Sequence, residues 1–132
     1  MDARIDPLRI LGLRAGDAHI VRNAGGRARD ALRSLIVSQE LLGTRQVLVI
    51  HHTDCGILGL SEEALRERLG RRYGADASDL AFWPFADLDA GVREDVALLR
   101  ACPFMPPELS VLGFVYDVRT GLLRPVPPDP SA

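Results

Sequence analysis

Four consecutive apolar residues, Val47-Leu48-Val49-Ile50, end abruptly in His51-His52-Thr53-Asp54-Cys55-Gly56. The run is short and mostly β-branched, which predicts a buried strand over Gln46–His51 rather than a turn of helix. Open α/β sheets place their sites where such a strand ends in polar, metal-capable side chains. His52 and Cys55 are three residues apart, so one imidazole and one thiolate can reach a common ion from a single strand-to-loop turn. Zn²⁺ accepts that mixture of nitrogen and sulfur. His51 projects to the opposite side of the strand, so only one of the two histidines can join the site. The pair is read as half a zinc site; the plainer alternative is a histidine closing a strand beside a structural cysteine.

Around this strand the chain alternates helix and strand. A short helical turn or loop is expected over Leu8–Leu13, and a short strand over Ala18–Arg22. Asn23-Ala24-Gly25-Gly26 then leads into a helix carrying Ala31, Leu32, Leu35, Ile36 and Leu42, which Gly43 closes. Downstream, Ser61 caps a surface helix that runs to Tyr73, and Asp87 or Asp89 opens another with Val92, Val96 and Leu99. A second buried strand follows over Leu109–Tyr116, and Arg119-Thr120-Gly121 turns into the extended segment Leu122–Val126. Strands separated by helices predict an α/β fold with a parallel sheet, closed by a C-terminal antiparallel hairpin. One domain is expected over 1–126, with a disordered Pro-rich tail at 127–132.

Sixteen arginines spread along the chain, no lysine and a net charge of −2 leave no basic face for nucleic acid. No apolar run is long enough to span a bilayer. The charged opening Met1–Asp6 has no signal-peptide core, and two cysteines fit a reducing cytoplasm. Other chemistry-bearing residues have plainer readings too. Asp2 and Arg4 share one side of an extended segment and are able to pair, or they are two solvated charges. Asn23, Ala24, Gly25 and Gly26 either cradle an anion on backbone N–H groups or form a tight turn. Phe82, Trp83 and Phe85 read as core or dimer contacts, Cys102 as packing, and His19 as a strand residue.

Taken together, several segments resemble the β-class carbonic anhydrases: Met1–Pro7, Gly12–Gly26, Asp30–Thr44, Val47–Gly56, Val92–Arg100 and Gly113–Leu123. They follow the family's order and spacing over nearly the whole chain to about Val126. The resemblance implies a zinc enzyme that interconverts CO₂ and bicarbonate through zinc-bound hydroxide, working as a homodimer or higher homo-oligomer. His52 and Cys55 match two of the family's three protein zinc ligands. Asp2 and Arg4 match its Asp–Arg dyad, where Arg holds Asp beside the zinc-bound water or Asp itself enters the metal shell. Asn23–Gly26 matches the loop bordering the site. The family's first cysteine, in the pattern Cys-x-Asp-x-Arg, would stand directly before Met1 on a central strand. The expectation is that the native chain is longer and begins upstream of an internal methionine codon. The alternative is a carbonic-anhydrase-like protein, impaired or non-catalytic, that serves dimerisation or anion binding. A structural zinc protein is a third reading; it would have to recruit His51 or Cys102 as further ligands.

Overall fold

The computed structural model of the chain describes residues 1–128, so residues 129–132 of the expected tail lie outside the described residues. The elements are α1 (Pro7–Leu11), a 3₁₀ turn (Ala24–Gly26), α2 (Ala28–Leu42), β1 (Gln46–His52), α3 (Glu62–Tyr73), α4 (Leu88–Ala101), β2 (Ser110–Tyr116) and β3 (Leu123–Val126). Side chains set most helix starts. Asp6 accepts from the N–H groups of Leu8 and Arg9, Ser61 from Ala64, and Asp87 from Ala90, each satisfying donors that a helix start leaves open. Helix α2 starts without such a cap, two residues before Asp30, and ends at Gly43 in the left-handed conformation.

The sheet has the order β1-β2-β3. β1 and β2 run parallel, Gln46 opposite Ser110 through His52 opposite Tyr116, and β3 returns antiparallel on β2. The α/β fold, its parallel pair and its closing hairpin therefore follow the sequence expectation. One face of the sheet, with Val47, Val49, Val111 and Val115, packs under α2 and α4 to form the core with Ala28, Val92 and Leu99. Each buried valine or leucine contributes about 1.5–3 kcal/mol relative to exposure. The other face carries Leu48, Ile50, Leu112 and Phe114 and stays partly open, with Leu112 42% exposed.

Helix α4 approaches the sheet over Gly113. A Cβ there would stand 2.4 Å from Val92 Cγ1 and 3.2 Å from Val96 Cγ2. Gly113→Ala is therefore expected to cost about 1–3 kcal/mol through overpacking, read as a lower urea midpoint at unchanged slope. An unchanged midpoint would mean that α4 can step back from β2 freely.

The strand expected over Ala18–Arg22 does not form. A strand needs a ladder partner about 4.8 Å away, and among the described residues none lies beside this segment. Ile20 and Val21 stay 40% and 46% exposed. Residues 18–23 instead form one wall of a groove of about 920 Å³, whose other walls come from the N-terminal segment with α1, from α2 and from β1. Among the described residues β1 pairs only with β2, so its second edge faces that groove with its backbone groups unpaired.

Candidate active site

The site gathers at the C-terminal end of β1, where the sequence places it. His52 ends the strand, and its Nδ1 lies 2.8 Å from the carbonyl oxygen of Thr53. A carbonyl only accepts, so Nδ1 carries a proton, and in the neutral ring the lone pair sits on Nε2. Histidines that bind metals are fixed in this way by a backbone or carboxylate partner. Asp2 Oδ2 lies 3.9 Å from that Nε2.

Arg4 grips Asp2 along one edge of its guanidinium, Nε to Oδ1 at 2.9 Å and NH2 to Oδ2 at 2.7 Å, while the Arg4 backbone N–H adds a bond to Oδ1 at 2.9 Å. These hydrogen bonds, the side-chain pair first, hold the Asp2 carboxyl well below the usual carboxylate range. The same pairing raises Arg4 further above its ordinary value. Asp2 is thus ionised at any pH near neutrality. Both side chains remain partly exposed, so the pair fixes an orientation and adds little stability.

The other edge of Arg4 reaches Asp54: NH1 donates to Oδ2 at 2.7 Å and NH2 to the backbone carbonyl at 3.1 Å. Asp54 has φ +55°, a left-handed turn that Asp tolerates better than most residues. Cys55 follows as a half-buried free thiol. Gly26 presses the neighbouring loop onto β1 so closely that a Cβ would stand 2.7 Å from the Ile50 carbonyl oxygen. Asn23 donates from Nδ2 to the Arg27 carbonyl, and its Oδ1 is buried without a protein partner. Two further contacts tie the segment carrying Asp2 to this loop. The Met1 amine donates to Asn23 O at 2.8 Å, and Arg22 NH2 donates to Asp2 O at 2.6 Å.

The structure thus brings together Asp2, Arg4, His52 and the Asn23–Gly26 loop, with Cys55 on the turn beyond His52. It does not bring in His51 or Cys102. His51 is fully buried on the other side of β1, where Nε2 donates to Asp95 at 3.0 Å and the ring stacks on Phe85 at 4.7 Å. Cys102 caps the end of α4 and packs on the core. Phe85 is buried inside the chain at 6% exposure, so of the expected aromatic contacts only Phe82 and Trp83 retain exposed surface. His19 lies outside any strand and pairs with Ser38 Oγ at 2.7 Å. Among the described residues no group of three or more His, Cys, Asp and Glu converges closely enough to hold a metal ion.

Sequence reasoning missed the partnership of Asp54 with Arg4, and the buried cluster behind His51. There Arg27, 3% exposed, pairs with Asp95 at 3.1 Å and Glu94 at 3.0 Å. A signal for Asp95 existed, because it stands on the same helical stripe as the buried Val92 and Leu99.

A parallel β-strand that ends in an imidazole and a thiol, beside a clamped carboxylate, defines an α/β protein with an enzyme-like site. The family is shown by comparison with known proteins. The family model described as carbonic anhydrase matches residues 1–73. β-Carbonic anhydrase 1 of Mycobacterium tuberculosis is 39% identical, over 97% of this chain and 78% of that protein. A carbon disulfide hydrolase of Acidithiobacillus thiooxidans is 30% identical, over 95% of this chain and 73% of that protein. The crystal structure of a carbonic anhydrase from Streptococcus mutans superposes with a TM-score of 0.91 at 46% identity, covering 96% of this chain and 77% of that one. This chain belongs to the β-carbonic anhydrase family.

Proposed function

We propose that the protein is a zinc-dependent carbonic anhydrase that hydrates CO₂ reversibly to bicarbonate, with His52 and Cys55 as metal ligands and Asp2 and Arg4 as the dyad beside them. The observation that carries this reading is the hydrogen bond from His52 Nδ1 to the Thr53 carbonyl at 2.8 Å. With Nδ1 committed to the Thr53 carbonyl, Nε2, 3.9 Å from Asp2 Oδ2, is the nitrogen left to donate to a metal from the neutral ring. That is the state in which an imidazole can bind a metal ion, and a zinc ion there would supply the Lewis acidity that ionises water near neutral pH. Asp2, unable to take up a proton near neutrality, accepts a hydrogen bond from the attacking water and sets its direction. Arg4 keeps that carboxylate ionised and holds both of its oxygens, which keeps it from turning into the position the water needs. The Asn23–Gly26 loop borders the space and would face the bicarbonate product.

Catalytic zinc uses three protein donors and one open position, and His52 and Cys55 account for two of the three. The groove along the free edge of β1 runs up to Asp2 and His52. An added strand lying in it would bring the remaining donor beside them. The lack of any three-donor group among the described residues supports the second reading, a non-catalytic member of the family that keeps the fold. A homodimer in the cytoplasm suits either reading. The half-open sheet face with Leu112 is the apolar surface that a second copy would cover, and light scattering is expected to give twice 14.4 kDa. A single-chain mass at micromolar concentration would remove the dimer from the proposal.

Metal analysis with a CO₂ hydration assay separates the two readings. The enzyme is expected to carry close to one zinc per chain and to lose it in Cys55→Ala. Full zinc retention in that variant would remove Cys55 from the ligand set. Absence of both zinc and hydration in the parent protein would leave the non-catalytic reading standing.

A further inference from the structure

We propose that Asp54 is a positioning residue, which locks Arg4 to the turn between His52, at the end of β1, and Cys55 and so sets where Asp2 stands relative to them. This rests on the carbonic anhydrase reading of the site. Arg4 and Asp2 lie two residues apart in one tight turn, closed by the Ile5 N–H donating to the Asp2 carbonyl at 3.2 Å and not extended as the sequence suggests, so their mutual pairing alone cannot fix their distance from β1. Arg22 and Asn23 tie that segment only to the neighbouring loop. The bonds from Arg4 to Asp54, at 2.7 Å to the carboxylate and 3.1 Å to the carbonyl, tie it to the turn that immediately precedes Cys55.

The two residues occupy different edges of one guanidinium, Asp2 with both carboxylate oxygens and Asp54 with one carboxylate oxygen and its backbone carbonyl. Asp2 takes Nε and NH2, and Asp54 takes NH1 and the second proton of NH2. A planar fork held along both edges cannot rotate about its Nε–Cζ bond, nor swing away while keeping Asp2 paired. The turn itself does not call for a carboxylate. At φ +55° glycine would serve with less strain, and an aspartate that keeps to this conformation does so with its side chain aimed at Arg4.

That backbone makes the test clean, because Asp54→Gly removes the carboxylate without straining the turn, and Asp54→Asn keeps an acceptor for NH1. The first readout uses the full chain without metal and follows the guanidinium protons of Arg4 by NMR. Rotation about Nε–Cζ is expected to be slow in the parent protein, about ten-fold faster in Asp54→Gly, and close to the parent rate in Asp54→Asn. The second readout uses the zinc-loaded protein with CO₂. Small misplacements of a catalytic group cost about ten- to a hundred-fold in rate, so Asp54→Gly is expected to lower kcat about ten-fold with KM within two-fold. Asp54→Asn should recover most of that loss. Parent-like Arg4 rotation in Asp54→Gly would reduce Asp54 to a turn residue, and so would fast rotation with an unchanged kcat. If the parent protein hydrates no CO₂, the carbonic anhydrase reading fails while Arg4 rotation still decides whether the lock exists.

Discussion

Replacing Asp95 with alanine is expected to destabilise the chain by about 3–5 kcal/mol, the range for breaking a buried ion pair from one side. Asp95 is fully buried and holds two partners through one oxygen: Arg27 NH1 at 3.1 Å and His51 Nε2 at 3.0 Å. Without it, a guanidinium 3% exposed keeps only the solvent-facing Glu94, a long contact to the Gly91 carbonyl at 3.4 Å and the face of Phe85 at 5.6 Å. His51 would lose its one hydrogen bond, since its Nδ1 already has no protein partner. The loss should appear as a lower urea midpoint. Arg27→Met in the same background is expected to recover part of it, with a coupling of about 1–3 kcal/mol, because the orphaned charge goes with the side chain. Additive losses in the double variant would show that the pair is not the source of the stability.

Replacing His52 with alanine is expected to act the other way round. Stability should change by only about 1 kcal/mol, while CO₂ hydration and bound zinc fall below detection. The loss should exceed the ~10–100-fold effect typical of residues that merely support a ligand. The adjacent His51→Ala is expected to cut stability as Asp95→Ala does, with activity surviving in the fraction that folds. Measuring hydration, zinc content and urea midpoint on both variants distinguishes them, and equal zinc retention in the two would end the assignment of His52 as ligand.

These neighbouring histidines also show how much the sequence could tell. Strand alternation placed them on opposite sides of β1, and the structure has His51 buried against Asp95 on one side and His52 beside Asp2 on the other. The helices were legible because Ser61 and Asp87 are strong caps and Gly43 a clear stop, and the parallel pair because its runs are β-branched. Ala18–Arg22 misled because alternation signals a strand only when a partner exists, and pairing is not a local property. Arg27 with Asp95 escaped notice for a related reason. A charge before a helix and an acid within one look solvated until the fold closes them on each other across 68 residues of chain. From sequence Asp54 could equally orient ligands or simply make the turn after His52, and its grip on Arg4 depends on how the first few residues lie over the end of β1.

The parallel pairing of β1 with β2 has a kinetic consequence. Gln46 finds Ser110 only after 64 further residues have been made, and no contact inside that span can substitute for the ladder. At ~5–20 residues per second of synthesis, β1 and the helix before it wait on the order of several seconds with the edge that β2 will cover still open. Closing so long a loop carries an entropy cost that grows with the logarithm of its length, and non-local parallel pairing is among the slower ways to fold. During that wait Val47–Ile50 is an uncharged, β-branched template open to any other nascent chain. Yield during expression should therefore fall more steeply with temperature and synthesis rate than the stability of the finished fold would suggest, and a holdase that masks this one segment should restore it.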